Sequence, residues 1–516
     1  MLTTTDPRTG VSAITALAST SPTEVDAVAE RAVKAAAELR RRSREFRAAL
    51  LDAIAASVEA ARDTLVATAD AETGLGAARL DGEVSRSAFQ FTLFADAVRE
   101  GSLVEAMIDH AAETSLGPAP DVRRMLVPIG PVAVFGSSNF PFAFSVLGGD
   151  TASAIAAGCP VVIKAHGSHV LTSQLSLEVL QEAARATHAP DGTFDAVFGQ
   201  EAGLALVAHP AIRAASFTGS LAAAESLQRA IHTRPDPIPF FGELSSINPI
   251  VITEGAARAR GADIAAGLFA SFTGSAGQLC TKPGIAFIPE GPSGEAMVES
   301  LKGFTTAARP QVLLNDRIHA SFGAISERLV KGGAAKVATG LTAPGSATAS
   351  DDSSSGGFTV PPTVLETSAA LLTQELAEEC FGPLIVVARY SALEEVREAF
   401  RRIPKSLTAT LHMEDDEAAI TAELSPVMEA SAGRIVFNGY PTGVRVTWAQ
   451  HHGGPWPATD SQHTSVGVTA VRRFLRPVAW QNAPQAALPD ELRDGYEAIP
   501  RRIDGLLVLP DPRSEG

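Results

Sequence analysis

Apolar residues recur at helical spacing in the first hundred residues, with arginine and glutamate residues between them. The segments with this pattern are 24–48, 50–70 and 84–99. An apolar residue every three to four positions gives one apolar face on a helix. The sequence therefore predicts helices across residues 24–99.

From residue 125 onward, short apolar runs alternate with helical segments. Helices are predicted from about residue 142 and from about residue 171, each after a run that is typical of a strand. The runs that are typical of strands are, in chain order, Val132–Phe135, Val161–Lys164, Phe194–Phe198, Ala214–Thr218 and Pro239–Glu243. Strands that alternate with helices are typical of a parallel α/β sheet.

A second α/β stretch begins near Asn248 and runs to about residue 440. Within it, residues 340–357 are mostly Gly, Ser, Thr, Ala and Asp, which predicts an exposed loop. The run Val471–Val478 predicts an edge strand, and the last few residues are expected to be disordered.

Composition narrows the class of protein. A chain of 516 residues with 45% hydrophobic and 19% charged residues predicts a globular protein of two or three domains. The net charge of −16 argues against nucleic-acid or anionic-membrane partners. Three cysteines without a C-x-x-C pair, and the lack of a signal-peptide pattern, favour a reducing, cytoplasmic location without a metal site.

Cys280 has the most informative surroundings. It lies in the run Gly274–Thr281, whose glycines and small residues predict a loop that leaves the sulfur approachable. A cysteine is more often a small buried hydrophobe than a nucleophile, and Cys159 before a buried strand fits that description. Cys280, flanked by polar residues, fits it poorly, and its local sequence leaves both interpretations open.

Three polar residues upstream of Cys280 carry groups that act on a carbonyl. Glu243 ends an apolar run, where it either points to solvent or, if partly buried, becomes a base. Asn139 is an amide donor or an ordinary turn residue. Lys164 ends a predicted strand, where a lysine is either solvated or binds ribose and phosphate. A thiol, a carboxylate and an amide suffice to trap a carbonyl and to hydrolyse the resulting thioester.

A phosphate-binding element is predicted from another run, because the G-x-G-x-x-G fingerprint is absent. The residues Phe217–Ser220 end a strand and open the helix Leu221–Ile231, with Ser220 as its N-cap. Free N–H groups at such a helix start bind pyrophosphate, so Gly219 and Ser220 are candidate dinucleotide contacts.

In this order, the motifs resemble those of the aldehyde dehydrogenase superfamily over about residues 20–480. The resemblance implies two doubly wound α/β domains plus a small β oligomerisation element. It also implies that Cys280 attacks the aldehyde, that Asn139 and the Cys280 N–H bind the oxyanion, and that Glu243 activates the hydrolytic water. The matching segments are Ser138–Pro141, Val162–Lys164, Phe217–Ser220, Glu243-Leu244, Gly277–Cys280 and Glu379–Pro383.

The resemblance further implies NADP or NAD as cofactor. Lys164, which also belongs to the predicted catalytic set, would hold the adenine-side ribose, and Ser220 the pyrophosphate. Glu379 would hold the nicotinamide ribose, and Phe381 would pack near the ring. The complete predicted set of cofactor contacts is Lys164, His166, Gly167, Ser168, Gly219, Ser220, Leu244, Glu379 and Phe381.

Two departures from the family pattern have consequences. Gly167 stands where the family commonly has a glutamate that binds the adenosine 2′-OH. A 2′-phosphate would then meet no like charge, and NADP is expected to serve at least as well as NAD. His166, Ser168, His169 and Thr172 are the residues that could bind this phosphate. The second departure, Ser245-Ser246 in place of two glycines, is expected to tighten the turn that holds Glu243.

Segments between residues 438 and 477 narrow the resemblance to α-ketoglutaric semialdehyde dehydrogenases and NADP-linked fatty aldehyde dehydrogenases. The first interpretation implies oxidation of 2,5-dioxopentanoate to 2-oxoglutarate. Arg445 is then a candidate contact of the substrate carboxylate, and the alternative is that Arg445 is a solvated surface arginine. The alternatives are a broad-specificity, fatty or aromatic aldehyde dehydrogenase, a CoA-acylating dehydrogenase and a non-catalytic crystallin-like protein. The aromatics Phe140, Phe142, Phe144, Trp448 and Trp456 either line a channel or pack.

The family architecture assigns each part of the chain to a domain. Residues 1–116 and 135–245, with part of 441–467, would form the cofactor domain, and residues 246–440 the catalytic domain. Residues 117–134 and 468–480 would form the bridging element, whose edge strand would pair with a partner in a homodimer or homotetramer. Residues 481–516 would form a C-terminal tail.

Overall fold

The structure, a computed structural model, describes residues 1–342 and 357–510. The predicted exposed loop at 340–357 and the predicted disordered end fall almost entirely on residues 343–356 and 511–516, which lie outside the described residues. No helix in the described part is long and apolar enough to cross a membrane.

Four helices form the N-terminal region instead of the three predicted segments. The first predicted helix is interrupted at Ser43, whose hydroxyl accepts a hydrogen bond from the N–H of Phe46 and caps a new helix. Three arginines precede this cap and interrupt the apolar pattern. The four helices are Pro22–Leu39, Arg44–Ala60, Arg62–Thr73 and Ala77–Glu100.

The first α/β unit is a five-stranded, wholly parallel sheet with helices on both faces. Its strands, in spatial order, are Phe240–Glu243, Ala214–Thr218, Val132–Phe135, Val161–Lys164 and Phe194–Val197. Its connecting helices are Gly149–Ala157, Val170–Ala186, Gln200–Ala208 and Leu221–His232. Because the strands are parallel, Glu243, Thr218 and Lys164 lie at one end of the sheet, where such folds bind ligands.

One helix of this unit begins later than predicted, at Gly149 rather than near residue 142. The intervening residues form successive turns, in which the N–H of Gly148 donates to the Ser145 carbonyl and that of Gly149 donates to the Ala143 carbonyl. Pro141, Gly148 and Gly149 disfavour an earlier helix start. The chain between Asn139 and Gly148 therefore forms a compact series of turns.

The second α/β unit is a seven-stranded sheet in which only the first strand in spatial order runs antiparallel to its neighbour. Alternate residues of its central strands pack against helices on opposite faces. The strands are Ala335–Thr339, Thr363–Ser368, Leu384–Tyr390, Ile285–Pro289, Ile250–Ile252, Ser406–His412 and Ala432–Phe437. The helices are Glu254–Thr273, Pro292–Thr306, Asp316–Lys331, Leu393–Arg402 and Ala418–Glu429.

A third, five-stranded sheet joins distant parts of the chain. The predicted edge strand at 471–478 begins at Leu475, and it is the outer strand of this sheet. Two further strands come from residues that the sequence analysis assigned to the C-terminal tail. In spatial order the strands are Leu475–Gln481, Val122–Pro128, Met107–Asp109, Arg501–Ile503 and Leu506–Val508.

Three short antiparallel strand pairs lie outside these three sheets. They are Thr3–Asp6 with Val11–Ile14, Ala112–Thr114 with Gly117–Ala119, and Gln311–Val312 with Thr359–Val360. The first pair contacts the helix Arg62–Thr73, since the hydroxyl of Thr4 donates to Glu72 at 2.8 Å.

Candidate active site

Cys280 lies on a sharply turned loop between the helix Glu254–Thr273 and the strand Ile285–Pro289. Ser275, Ala276 and Gly277 all have positive φ, at 52°, 55° and 67°. A Cβ atom at Gly277 would lie 2.2 Å from the backbone of Gly382. Glycine therefore permits the Cys280 loop to pack directly on the segment that follows Glu379 and Phe381.

His452 connects Cys280 with Glu243. Its Nε2 lies 3.6 Å from the Cys280 sulfur and 2.8 Å from Oε1 of Glu243. The other carboxylate oxygen accepts a hydrogen bond of 2.7 Å from the hydroxyl of Ser465. Since the side chains of His452 and Glu243 are only 1% and 2% exposed, the thiol, imidazole and carboxylate form one buried cluster that can exchange protons.

The charges in this cluster shift two pKa values in opposite directions. Burial raises the pKa of Glu243, but the charge and N–H of His452 and the Ser465 hydroxyl outweigh it, so the pKa lies below its ordinary value. Burial, followed by the negative charge of Glu243, raises the pKa of the Cys280 thiol well above its ordinary value. At neutral pH the carboxylate is therefore ionised and the thiol keeps its proton.

The donor atoms of Cys280, Glu243 and His452 lie within 4.8 Å of one another, and these residue types also bind zinc. Two ligands of a tetrahedral zinc lie roughly 3.3 Å apart if each is about 2.0 Å from the metal. The 2.8 Å separation of Nε2 and Oε1 is instead that of a hydrogen bond. Hydrogen bonding accounts for the cluster, and the absence of a metal stays a prediction.

Asn139 lies in the turns that follow the strand Val132–Phe135 and is buried. Its side-chain amide donates one hydrogen bond, of 2.9 Å, to the carbonyl of Gln278, two residues before Cys280. The backbone carbonyl of Asn139 accepts a hydrogen bond of 2.7 Å from Arg79. An amide nitrogen carries two hydrogens, so one N–H fixes the side chain against the nucleophile loop and the second remains for another acceptor.

Lys164, His166, Gly167 and Ser168 follow one strand of the first sheet. Burial and then the positive charge of Arg317 lower the pKa of Lys164, whose ammonium makes no hydrogen bond within residues 1–342 and 357–510. The N–H of Ser168 donates to Nδ1 of His166 at 3.1 Å. Gly167 is exposed, and a Cβ atom there would meet no atom within 4 Å. Within the described residues, the Lys164 ammonium is therefore unpaired and the space at Gly167 is open.

His169 and Thr172, two of the four residues predicted to bind a 2′-phosphate, are engaged inside the protein. The ring of His169 lies 2.8 Å from the Ser137 carbonyl and 3.2 Å from the Ser173 hydroxyl. The hydroxyl of Thr172 donates to the carboxylate of Glu72 at 2.7 Å. Both side chains are buried, which leaves His166 and Ser168 as the phosphate candidates.

Glu379 and Phe381 lie on a loop that Lys282 holds in place. Lys282 is 1% exposed, and its ammonium donates to the carbonyls of Cys380 and Leu384 at 2.9 and 3.0 Å. Burial raises the pKa of Glu379 to about 7, opposed by the charge of Lys282. The N–H of Ser246 donates to Glu379 at 3.3 Å, so the serine pair that replaces two glycines contacts this carboxyl group.

The segment 217–220 lies beside Glu243, as the parallel sheet requires. The N–H of Gly219 donates to the Glu243 carbonyl at 3.0 Å. The Ser220 hydroxyl accepts from the N–H of Ala223, which confirms it as the helix N-cap. Leu244 is buried, and its N–H donates to the carbonyl of Ala458 at 2.8 Å. Glu243 and the predicted pyrophosphate site thus share one end of the first sheet.

The sequence analysis did not single out His452 or Lys282. A cysteine nucleophile often has a histidine partner that is distant in sequence, and this was the available signal for His452. Because Cys280 and His452 are 172 positions apart, no local spacing pairs them among the 11 histidines.

These motifs and this geometry agree with the comparison to known proteins. The model of the aldehyde dehydrogenase family matches residues 2–456. The chain belongs to the aldehyde dehydrogenase family. This aldehyde dehydrogenase is therefore an NAD(P)-dependent oxidoreductase that acts on aldehydes, as predicted.

Relatives at higher identity carry a more specific name. Over 491 residues, 94% of this chain, it is 39% identical to the alpha-ketoglutaric semialdehyde dehydrogenase of Acinetobacter baylyi, of which 91% is covered. Over 469 residues, 89% of this chain, it is 43% identical to alpha-ketoglutaric semialdehyde dehydrogenase 2 of Azospirillum brasilense, of which 87% is covered. The fold matches that of PnpE in complex with nicotinamide adenine dinucleotide, with a TM-score of 0.79, 22% identity and 93% coverage of both chains. The predicted fold class is confirmed.

Proposed function

We propose that this aldehyde dehydrogenase oxidises 2,5-dioxopentanoate, the α-ketoglutaric semialdehyde, to 2-oxoglutarate with hydrolysis of a Cys280 thioester. The observation that carries the chemistry is the cluster in which His452 lies 3.6 Å from the Cys280 sulfur and 2.8 Å from Glu243. The names of two relatives at 39% and 43% identity support the substrate.

In the first step, the Cys280 sulfur adds to the aldehyde carbon, and the thiol proton leaves toward the His452–Glu243 pair. The pair is suited to this transfer because the carboxylate is ionised and hydrogen-bonded. The second N–H of Asn139 and the backbone N–H of Cys280 are the donors for the oxyanion. The anchoring of Asn139 to the Gln278 carbonyl fixes the amide before the substrate arrives.

Bound NAD(P) supplies the hydride acceptor that turns the adduct into a thioester. Glu243 then takes a proton from the water that attacks the thioester carbon, and Cys280 leaves as a thiolate that recovers its proton. Hydrolysis needs such a base, whereas transfer to CoA does not. The buried and ionised Glu243 therefore favours a carboxylate product over an acyl-CoA, and the complete cluster favours catalysis over a crystallin-like role.

The residues around Lys164 fit a dinucleotide with a 2′-phosphate. The Lys164 ammonium has no acceptor in the described part of the chain, and Gly167 leaves open space. Lys164, His166 and Ser168 would surround the adenine-side ribose, and Gly219 with Ser220 would hold the pyrophosphate. Glu379 and Phe381 would hold the nicotinamide end, with Leu244 beneath it. In this proposal Lys164 contacts only the cofactor. Its membership of the predicted catalytic set therefore refers to that contact alone.

Gly167→Glu is expected to raise the KM for NADP at least about ten-fold, because a carboxylate would face the 2′-phosphate. The KM for NAD should change little or fall. The open space at Gly167 admits either side chain, so Gly167→Gln serves as a control of equal size without the charge. Initial rates with both cofactors give the comparison. A wild-type enzyme with a large preference for NAD, or equal effects of Glu and Gln, would contradict the NADP assignment.

A homodimer or homotetramer is part of the proposal. The strand Leu475–Gln481 is the outer strand of the third sheet, and its side chains are mostly exposed or half-buried. An uncovered outer strand can pair with the same element of a second copy. Light scattering on the purified protein should give a mass of two or four chains, and a monomer at micromolar concentration would refute this assembly.

The substrate is tested by NADPH formation with 2,5-dioxopentanoate beside hexanal and benzaldehyde. The proposal predicts a kcat/KM for the dioxo acid at least about ten-fold above that for either apolar aldehyde. Preference for hexanal or benzaldehyde would keep the chemistry and replace the substrate by a broad aldehyde class. Formation of acyl-CoA when CoA is added would contradict hydrolysis.

A further inference from the structure

Arg86 is a half-buried arginine with two buried nitrogens that lack a hydrogen-bond partner in the described part of the chain. It lies on the helix Ala77–Glu100, and these two nitrogens are its Nε and Nη2. No carboxylate among residues 1–342 and 357–510 pairs with Arg86 within 4.0 Å. A buried N–H group without an acceptor is costly unless a ligand supplies one.

Arg86 lies near the cluster of Cys280, His452 and Glu243, with Phe144 between. Its guanidinium carbon lies 5.2 Å from the centre of the Phe144 ring. The ring of Phe144 lies 6.2 Å from that of His452, whose Nε2 contacts the Cys280 sulfur. Burial lowers the pKa of Arg86, and its electrostatic interactions with Cys280, Glu83 and Glu243 act in the opposite direction. Arg86 therefore lies within electrostatic reach of the reacting groups, with one aromatic ring between.

Three other arginines are engaged by the protein or exposed, although Nη1 of Arg79 and Nε of Arg434 also lack a hydrogen-bond acceptor in the described part of the chain. Arg79 donates to the Asn139 carbonyl, and its other nitrogen lies 3.5 Å from Glu83. Arg434 donates to the carbonyls of Pro441 and Gly443 at 2.5 and 3.1 Å. Arg445, the residue suggested by the sequence, is exposed, so water already solvates its charge.

We infer that Arg86 binds the carboxylate of an aldehyde substrate that carries its acid group at the end opposite the aldehyde carbon. A guanidinium binds a carboxylate through two parallel N–H bonds, and the free Nε and Nη2 form such a pair. The Phe144 ring that Arg86 faces packs against the ring of Phe140, with the ring centres 5.1 Å apart. This inference rests on the proposed function, because it assumes that the aldehyde carbon reacts at Cys280.

Arg86→Gln tests the inference, with Arg445→Gln as the matched control. The acidic probe is 2,5-dioxopentanoate and the uncharged probe is hexanal, both assayed by NADPH formation. Arg86→Gln is expected to lower kcat/KM for the dioxo acid about 100-fold, mainly through KM, because a buried charge loses its partner. Its rate with hexanal, and both rates of Arg445→Gln, should stay within about two-fold of wild type.

Equal losses with both probes would mean that Arg86 only supports Phe144, and that result would overturn the inference. A selective loss in Arg445→Gln, or no loss in Arg86→Gln, would overturn it as well. If Arg86→Gln does not fold, Arg86→Lys replaces it. Lysine keeps the charge but cannot form the bidentate pair, so the preference for the dioxo acid should fall about ten-fold, and an unchanged preference would refute the role.

A separate outcome decides the proposed substrate. If the wild-type enzyme prefers hexanal to the dioxo acid, the proposed function fails in its substrate. The carboxylate contact is then measured with glutaric semialdehyde against pentanal, where Arg86→Gln should again reduce only the rate of the acidic aldehyde. An equal effect on both of these aldehydes would refute the inference independently.

Discussion

Replacement of Cys280 by alanine is expected to remove aldehyde oxidation, with kcat lower by at least roughly 10⁴-fold. The sulfur is the only nucleophile of the buried cluster formed with His452 and Glu243. Without it no covalent adduct forms, and no carboxylate product follows. NADPH absorbance with saturating aldehyde measures the loss, and cofactor titration by fluorescence should show that binding persists.

Cys159→Ala is the matched control for Cys280→Ala. The Cys159 side chain is fully buried in the core of the first α/β unit, and its sulfur lies 3.4 Å from the carbonyl of Phe474. Burial raises its pKa to about 11, so it is not a thiolate at neutral pH. This variant should keep kcat within about two-fold and lose only some stability. A Cys280→Ala enzyme that keeps a tenth or more of the wild-type rate would contradict the nucleophile assignment.

Glu243→Gln is expected to slow the steady state by about 10²–10⁴-fold, because hydrolysis of the thioester loses its base. Formation of the thioester is affected less, so the first turnover should appear as a burst of about one NADPH per active site. Glutamine keeps the size of the side chain and can still bond His452 and Ser465. Stopped-flow absorbance separates the burst from the slow phase. An unchanged steady-state rate would contradict the role of Glu243.

The same variant should change the titration of Cys280. The negative charge of Glu243 raises the pKa of the thiol, after burial, and glutamine removes that charge. The rate of alkylation by iodoacetamide, which follows the thiolate, should therefore rise at lower pH in Glu243→Gln than in wild type. A shift of the profile to higher pH would mean that Glu243 does not face the thiol in solution.

The sequence predicted the placement of residues that follow strands. Lys164, Glu243 and Gly219 lie at one end of the first sheet because parallel strands share a direction, and alternation of strands with helices reveals that direction. Boundaries in regions of weak periodicity were wrong. The N-cap Ser43 interrupts a predicted helix, and turns between Pro141 and Gly148 delay another.

Contacts between distant segments could not be predicted from local patterns. His452 reaches the nucleophile across 172 residues, and Lys282 reaches carbonyls about a hundred residues away. Arg86 has the spacing of an ordinary polar position on a helix, and only the packed structure reveals that its Nε and Nη2 lack acceptors within the described residues. For Arg445, the sequence left the choice between a ligand and a solvated residue open, and its exposure favours the second.

The central claim is a thioester on Cys280 that Glu243 hydrolyses, and trapping the acyl-enzyme tests it most directly. Glu243→Gln would be mixed with NADP and 2,5-dioxopentanoate, quenched in acid and examined by intact mass and peptide mapping. The account predicts a mass increase of one acyl group on the peptide that contains Cys280, and none in Cys280→Ala. An enzyme that produces NADPH without this adduct, or with the acyl group on another residue, would contradict the account.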